Sequence, residues 1–198
     1  MQPSSSVSRP GGPGFVVLEK GEAAGQTPAV YLRLEAILDI LRHVPLEARH
    51  ELGGLLAGEA GADEEGAFVL VERALASPSE NRTSVSVTFT PEDWDALWVA
   101  RDRECPGKRI VGWYHTHPGL RVFLSEQDRF IHRHFFTEAF QLALVVDPAR
   151  SEWGVFRWEG EEILSLAPGF YVYAAGGAPE ELEEALREMD PAWIIRLG

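Results

Sequence analysis

Leu142-Ala143-Leu144-Val145-Val146 is an unbroken apolar run closed by Asp147-Pro148. A strand with no polar face must be covered on both faces, so this chain has to build a layered domain around it. The flanking patterns supply the layers. Leu34, Ile37, Leu38 and Leu41 fall at helical spacing with Glu35, Asp39 and Arg42 opposite, and Pro45 is expected to end that helix. Strands are read at residues 55–59 and 68–74, with an acidic, glycine-rich turn between them. Val85, Val87 and Phe89 alternate with polar residues and suggest another. Thr90-Pro91-Glu92-Asp93 carries a cap, a first-turn proline and two acids for the positive helix end. Trp94, Leu97 and Trp98 are expected to form that helix's apolar stripe. Residues 109–114, 154–158 and 163–167 read as strands and 125–136 as a helix. Strands and helices without strict βαβ alternation indicate an α+β domain, a mixed central sheet flanked by helices.

This core is expected to occupy residues 27–175. Residues 1–26, rich in Ser, Pro and Gly at their start, read as a disordered tail and linker. Residues 176–198 read as a C-terminal amphipathic helix and tail, with Leu182, Ala185, Leu186 and Met189 on one face. The plain expectation is that this stripe packs on the chain's own core; docking on a second copy or a conjugation-pathway partner is the other reading.

The single cysteine, Cys105, excludes an internal disulfide framework, a cysteine zinc finger and an iron–sulfur cluster. Its use fits a reducing compartment, so a cytoplasmic location is expected. The net charge of −13 argues against nucleic acid and against an anionic membrane surface. No run approaches the roughly 18–20 apolar residues of a membrane span, and no secretion-signal core is read at the N-terminus.

The chemistry concentrates in residues 111–128, VGWYHTHPGLRVFLSEQD. His115 and His117 stand two apart near a strand end, so period-two alternation puts both imidazoles on one side. Asp128 follows at a helix start and supplies a carboxylate. Two His and one Asp hold one zinc ion and leave a fourth position open, the arrangement of a catalytic site. Zinc there lowers the pKa of water to about 7. Glu51, before a glycine-rich strand start, is the candidate base, and Ser125 the candidate donor to a developing oxyanion. His132, one turn after Asp128, could support the ligands from outside, although a solvated helix surface is its plainer account. Each residue also has a plainer account: Ser125 and Asp128 alone make a helix capping box, and Glu51 alone is a surface acid.

The joint pattern H-x-H, seven residues, S-x-x-D resembles the JAMM signature of MPN-domain metalloproteases at every position. Glu51, Gly54 and Gly58 resemble the segment holding that family's catalytic glutamate. GWYHTHPG and FLSEQD are similar to the deubiquitinating members, and the short, cysteine-poor form is similar to prokaryotic ones. The resemblance spans roughly residues 30–167. It implies a cytidine-deaminase-like α+β fold and a zinc isopeptidase with one zinc per chain. The expected reaction cuts the bond after the C-terminal glycine of a ubiquitin-like protein, from a target lysine or a precursor. The insertions that carry a structural zinc and linkage selectivity in some members are not seen in the sequence. Two other readings remain open: release of an amino acid from a sulfur-carrier C-terminus, which needs the same site, and a non-catalytic scaffold, whose members typically lose the ligands. Oligomeric state is open as well.

Overall fold

The computed structural model describes residues 7–11, 14–45, 47–78, 89–159, 162–163, 167–176 and Leu182. Its strands are β1 (Phe15–Gly21), β2 (Ala29–Arg33), β3 (Gly53–Asp63), β4 (Gly66–Ala76), β5 (Arg109–Thr116), β6 (Leu142–Asp147), β7 (Glu152–Glu159), β8 (Glu162–Ile163) and β9 (Gly169–Ala175). Three helices, α1 (Leu34–His43), α2 (Pro91–Glu104) and α3 (Glu126–Phe135), complete the described residues. The strands form one sheet in the order β1-β9-β2-β4-β3-β5-β6-β7-β8. β2 runs parallel to β4 and β9, and β5 parallel to β6, while the other pairs are antiparallel. The mixed sheet expected from the sequence is thus present.

β6 fulfils the constraint of its apolar run. Leu142, Leu144 and Val146 enter the core under α1, with Ile37, Ile40, Leu56 and Val71. Ala143 and Val145 enter the opposite core, with Leu97, Trp113, Ile131 and Phe136. Each side chain so buried contributes about 1.5–3 kcal/mol for the larger types. α1 stops where expected: Val44 is extended, as the residue before Pro45 must be. α2 begins with the expected capping box, Thr90 accepting from the Asp93 N–H while Asp93 accepts from the Thr90 N–H. Its stripe is narrower than expected. Leu97 is fully buried and Trp94 partly so, but Trp98 is 42% exposed under the Arg101 guanidinium. Adjacent helical residues diverge by about 100°, so Leu97 and Trp98 cannot share a buried face.

The N-terminal boundary needs correction. Within the stretch 1–26 expected to be tail, Phe15–Gly21 forms β1, paired along its whole length with β9. Val16 is buried there, and backbone pairing outweighs the strand's polar residues. Upstream, Arg9 is clamped by Asp63 through two hydrogen bonds of 2.8 and 2.7 Å. The expected strand at residues 163–167 is described only as β8 and the buried Ala167. Val85, Val87, Ala185, Leu186 and Met189 lie outside the described residues, whereas Leu182 is buried in the core under α1.

Candidate metal centre

β5 ends against β3 and β6, and this junction delivers the histidines. A register shift between Leu56 and Ala57 opposite Ile110–Gly112 leaves Trp113 and His115 on the α3 side and Tyr114 on the α1 side. Thr116 points with Tyr114. Its Oγ1 accepts the Leu52 N–H at 2.9 Å, and its own N–H donates to the Leu52 carbonyl at 2.9 Å. This two-bond clamp ties the residue after Glu51 to the residue between the two histidines. The His117 N–H donates to the Val146 carbonyl at 2.8 Å, anchoring the strand end on β6.

The glycines of the Glu51 segment serve the sheet. A Cβ on Gly54 would lie 2.0 Å from the Leu75 carbonyl oxygen, and one on Gly58 1.8 Å from that of Leu70. They let β4 close on β3, which holds Glu51 in place from behind.

Asp128 arrives on the first turn of α3. Ser125 is the N-cap: its Oγ accepts the Asp128 N–H at 3.1 Å, and Asp128 Oδ2 accepts the Ser125 N–H at 2.7 Å and the Ser125 hydroxyl at 2.6 Å. The capping box therefore fixes the carboxylate as well as the helix.

The structure brings Glu51, His115, His117, Ser125 and Asp128 together. His115 Nε2 lies 3.4 Å from Asp128 Oδ1, His117 Nε2 3.5 Å from Asp128 Oδ2, and Glu51 Oε1 3.7 Å from His117 Nε2. His115, His117 and Asp128 are 0–2% exposed, and one ligand atom from each falls within 4.8 Å of the others. Donors about 2.1 Å from a tetrahedral zinc sit about 3.4 Å apart, so the set fits that ion. Both nitrogens of His115, and Nδ1 of His117, are buried without a hydrogen-bond partner among the described residues. Leaving such groups unmet is costly unless they bind an ion. Burial opposes the charge on Asp128, but the His115 and His117 imidazoles facing it outweigh that and hold the carboxyl well below its usual range.

Four further residues shape the site. The Trp113 indole stacks on the His115 ring, with centroids 4.5 Å apart and planes within 17°. Its Nε1–H donates to His132 Nδ1 at 3.0 Å. His132 is fully buried, and burial pushes its pKa down to about 4. A solvated helix surface was the plainer expectation for His132; the structure instead buries it at one remove from the ligand set, behind Trp113. Phe123 leans on His117 at 4.4 Å from the other side. Asp147, read from sequence only as a strand end, is fully buried and holds the loop after His117. It accepts the N–H groups of Gly119 and Arg121 at 2.9 and 2.8 Å, and Arg150 Nη1 at 3.0 Å. An acid closing an apolar run was the available signal, because a buried carboxylate needs donors.

A mixed sheet that brings together two histidines and a capped aspartate is an α+β domain with a candidate metal-ligand set. The sequence profile of prokaryotic homologues of the JAB domain matches residues 34–159, and the chain belongs to this family of JAMM/MPN proteins. Among curated relatives, it is 47% identical over 71 residues to NAD(+) hydrolase TcpA of Theionarchaea archaeon (strain DG-70-1), covering 35% of this chain and 21% of that protein. It is 32% identical over 139 residues to 26S proteasome regulatory subunit RPN11 of Eremothecium gossypii, covering 66% of this chain and 43% of that one. It is 29% identical over 104 residues to Lys-63-specific deubiquitinase BRCC36 of Xenopus laevis, covering 50% and 39%. The chain therefore spans less than half the length of each. The solution structure of protein DSY2949 from Desulfitobacterium hafniense shares the fold at TM-score 0.52 and 17% identity, over 77% of this chain and 97% of that one.

Proposed function

We propose that this chain is a zinc-dependent isopeptidase that hydrolyses the bond after the C-terminal glycine of a ubiquitin-like protein, freeing it from a target lysine or a precursor. The observation that carries the reading is the buried convergence of His115, His117 and Asp128 with the Glu51 carboxylate 3.7 Å from His117. The deubiquitinase named among the relatives supports the reaction class. Held by His115, His117 and Asp128, zinc would supply Lewis acidity and lower the pKa of water to about 7.

Glu51 accepts the proton of the attacking water and returns it to the departing amine. Water thus adds across the C–N bond, its oxygen to the carbonyl carbon and its proton to nitrogen. Ser125 is assigned the oxyanion, toward which its hydroxyl turns from Asp128. A glycine-ended tail has few side chains to read, so it docks as an added strand through its backbone. The activity named for the archaeal relative is not extended to this chain, because the match covers only 21% of that protein.

The test is incubation of the zinc-loaded chain with ubiquitin-like fusions whose C-terminal glycine is joined to a lysine side chain or a downstream peptide. Cleavage is expected, with loss on chelation. Glu51→Gln should retain zinc while turnover falls about 10²–10⁴-fold. Wild-type turnover in Glu51→Gln would overturn the assignment of the base. Consumption of NAD+ with every fusion intact would overturn the reaction.

A further inference from the structure

Metal-binding histidines are ordinarily oriented by a hydrogen bond from the ring nitrogen that does not bind the ion. Among the described residues His115 has no such bond, its Nδ1 being buried without a hydrogen-bond partner there. What faces its ring is the Trp113 indole, nearly coplanar at 4.5 Å. Trp113 is itself held twice, by the 3.0 Å bond to His132 and by stacking on Phe136 at 5.7 Å with planes within 10°. Trp113, His115 and His132 are each 0% exposed. From this geometry we infer that His132 is a positioning residue of the metal site, fixing the plane of the His115 imidazole through Trp113 in place of a direct hydrogen-bond acceptor.

The inference rests on the metal reading proposed above. Its chemistry requires His132 Nδ1 to carry no proton, since it accepts the indole N–H. Burial keeps the ring neutral, and the proton then sits on Nε2. A stack constrains tilt but leaves an indole free to slide. The hydrogen bond removes that freedom and so sets where the His115 Nε2 lone pair points.

The full-length chain tests this by zinc affinity, measured by chelator competition, and by the visible spectrum of the cobalt-loaded protein, neither of which needs a substrate. His132→Leu should weaken zinc binding about 10–100-fold and alter the cobalt bands. His132→Asn, which returns an acceptor at the Nδ1 position, should recover most of the affinity. Ile131→Val, in the same core but outside the stack, serves as the stability-matched comparison and should bind zinc like wild type. Should His132→Leu fail to fold, Trp113→Phe keeps a ring beside His115 but removes the N–H, and the same loss is expected. Wild-type affinity and an unchanged cobalt spectrum in His132→Leu or Trp113→Phe would overturn the positioning role alone. Wild-type protein that takes up no zinc would overturn the metal reading and this inference with it.

Discussion

His115 and His117 are two residues apart, yet they face different regions. The ring beside His115 is Trp113, fully buried and pinned by His132 and Phe136. The ring beside His117 is Phe123, 42% exposed, on the stretch leading to Ser125. Leu120, in the same stretch, is 53% exposed. One histidine ring lies against the core, and the other stands where the chain enters a loop that Asp147 ties down with hydrogen bonds. Buried packing opens only with global unfolding, whereas loops open locally at lower free energy. Under the function proposed above, the difference would separate two demands on a hydrolytic metal centre, with the buried side keeping the ion and the open side admitting a substrate.

Paired substitutions put the greatest strain on that contrast. Trp113→Ala should cost about 3–5 kcal/mol in denaturant unfolding and lower zinc affinity as well. Phe123→Ala removes a half-exposed ring, so stability and zinc content should hardly change while KM for a ubiquitin-like fusion rises. Equal zinc loss in both variants would erase the distinction between the two sides.

Acid should act on the buried side first. His132 has a folded pKa of about 4, below its ordinary value of 6.5. Between those values the unfolded chain binds a proton that the folded chain does not. Stability of the metal-free protein therefore falls as pH drops through this window and is fully regained above about pH 6.5. The whole effect is on the order of 3 kcal/mol. Thermal melts from pH 7 to pH 4.5 should show the slope in wild type and a shallower one in His132→Leu. Identical slopes would mean that His132 does not carry this acid sensitivity.

The same contrast explains what could be read in the sequence. His115, His117, Ser125 and Asp128 were legible because strand alternation and the helix cap are local rules that fix spacing. The two-faced burial of β6 was legible because five apolar residues leave no polar face. β1 was not, since Phe15–Gly21 owes its place to pairing with β9, more than a hundred residues away in the chain. The Trp113–His132 bond was not legible either, because it joins a strand to a helix 19 residues on. Asp147 announced a strand end but gave no sign that its acceptors would reach back to Gly119 and Arg121. Local rules reveal the candidate ligands; what surrounds and orients them is tertiary.

On the open side, Asp147→Ala should cost about 1–3 kcal/mol, because two loop N–H groups lose their acceptor. Arg121 sits at φ 72°, a conformation its side chain disfavours and the Asp147 bond helps to hold. The loop should loosen beside His117, with faster amide exchange at residues 119–121 and a raised KM, while zinc stays bound through the buried side. Loss of zinc in step with KM would show that the loop also holds the ion.

The smallest expected effect on stability falls where the two sides meet. Ser125 caps α3 and donates to Asp128 Oδ2, so its hydroxyl is engaged with the ligand and not with a substrate. Ser125→Ala should cost about 1 kcal/mol as a lost cap, whereas Ser125→Gly, a tolerable cap, should cost only a few tenths. Neither variant has a hydroxyl. If Ser125 acts on the oxyanion, both should retain zinc and lose about 10²–10³-fold in turnover despite their different stabilities. If it acts by holding Asp128, both should lose zinc affinity, and turnover at saturating zinc should return toward wild type. Chelator competition and single-turnover rates on the two variants separate these outcomes, because the first leaves the ion bound and the chemistry slow while the second does the reverse.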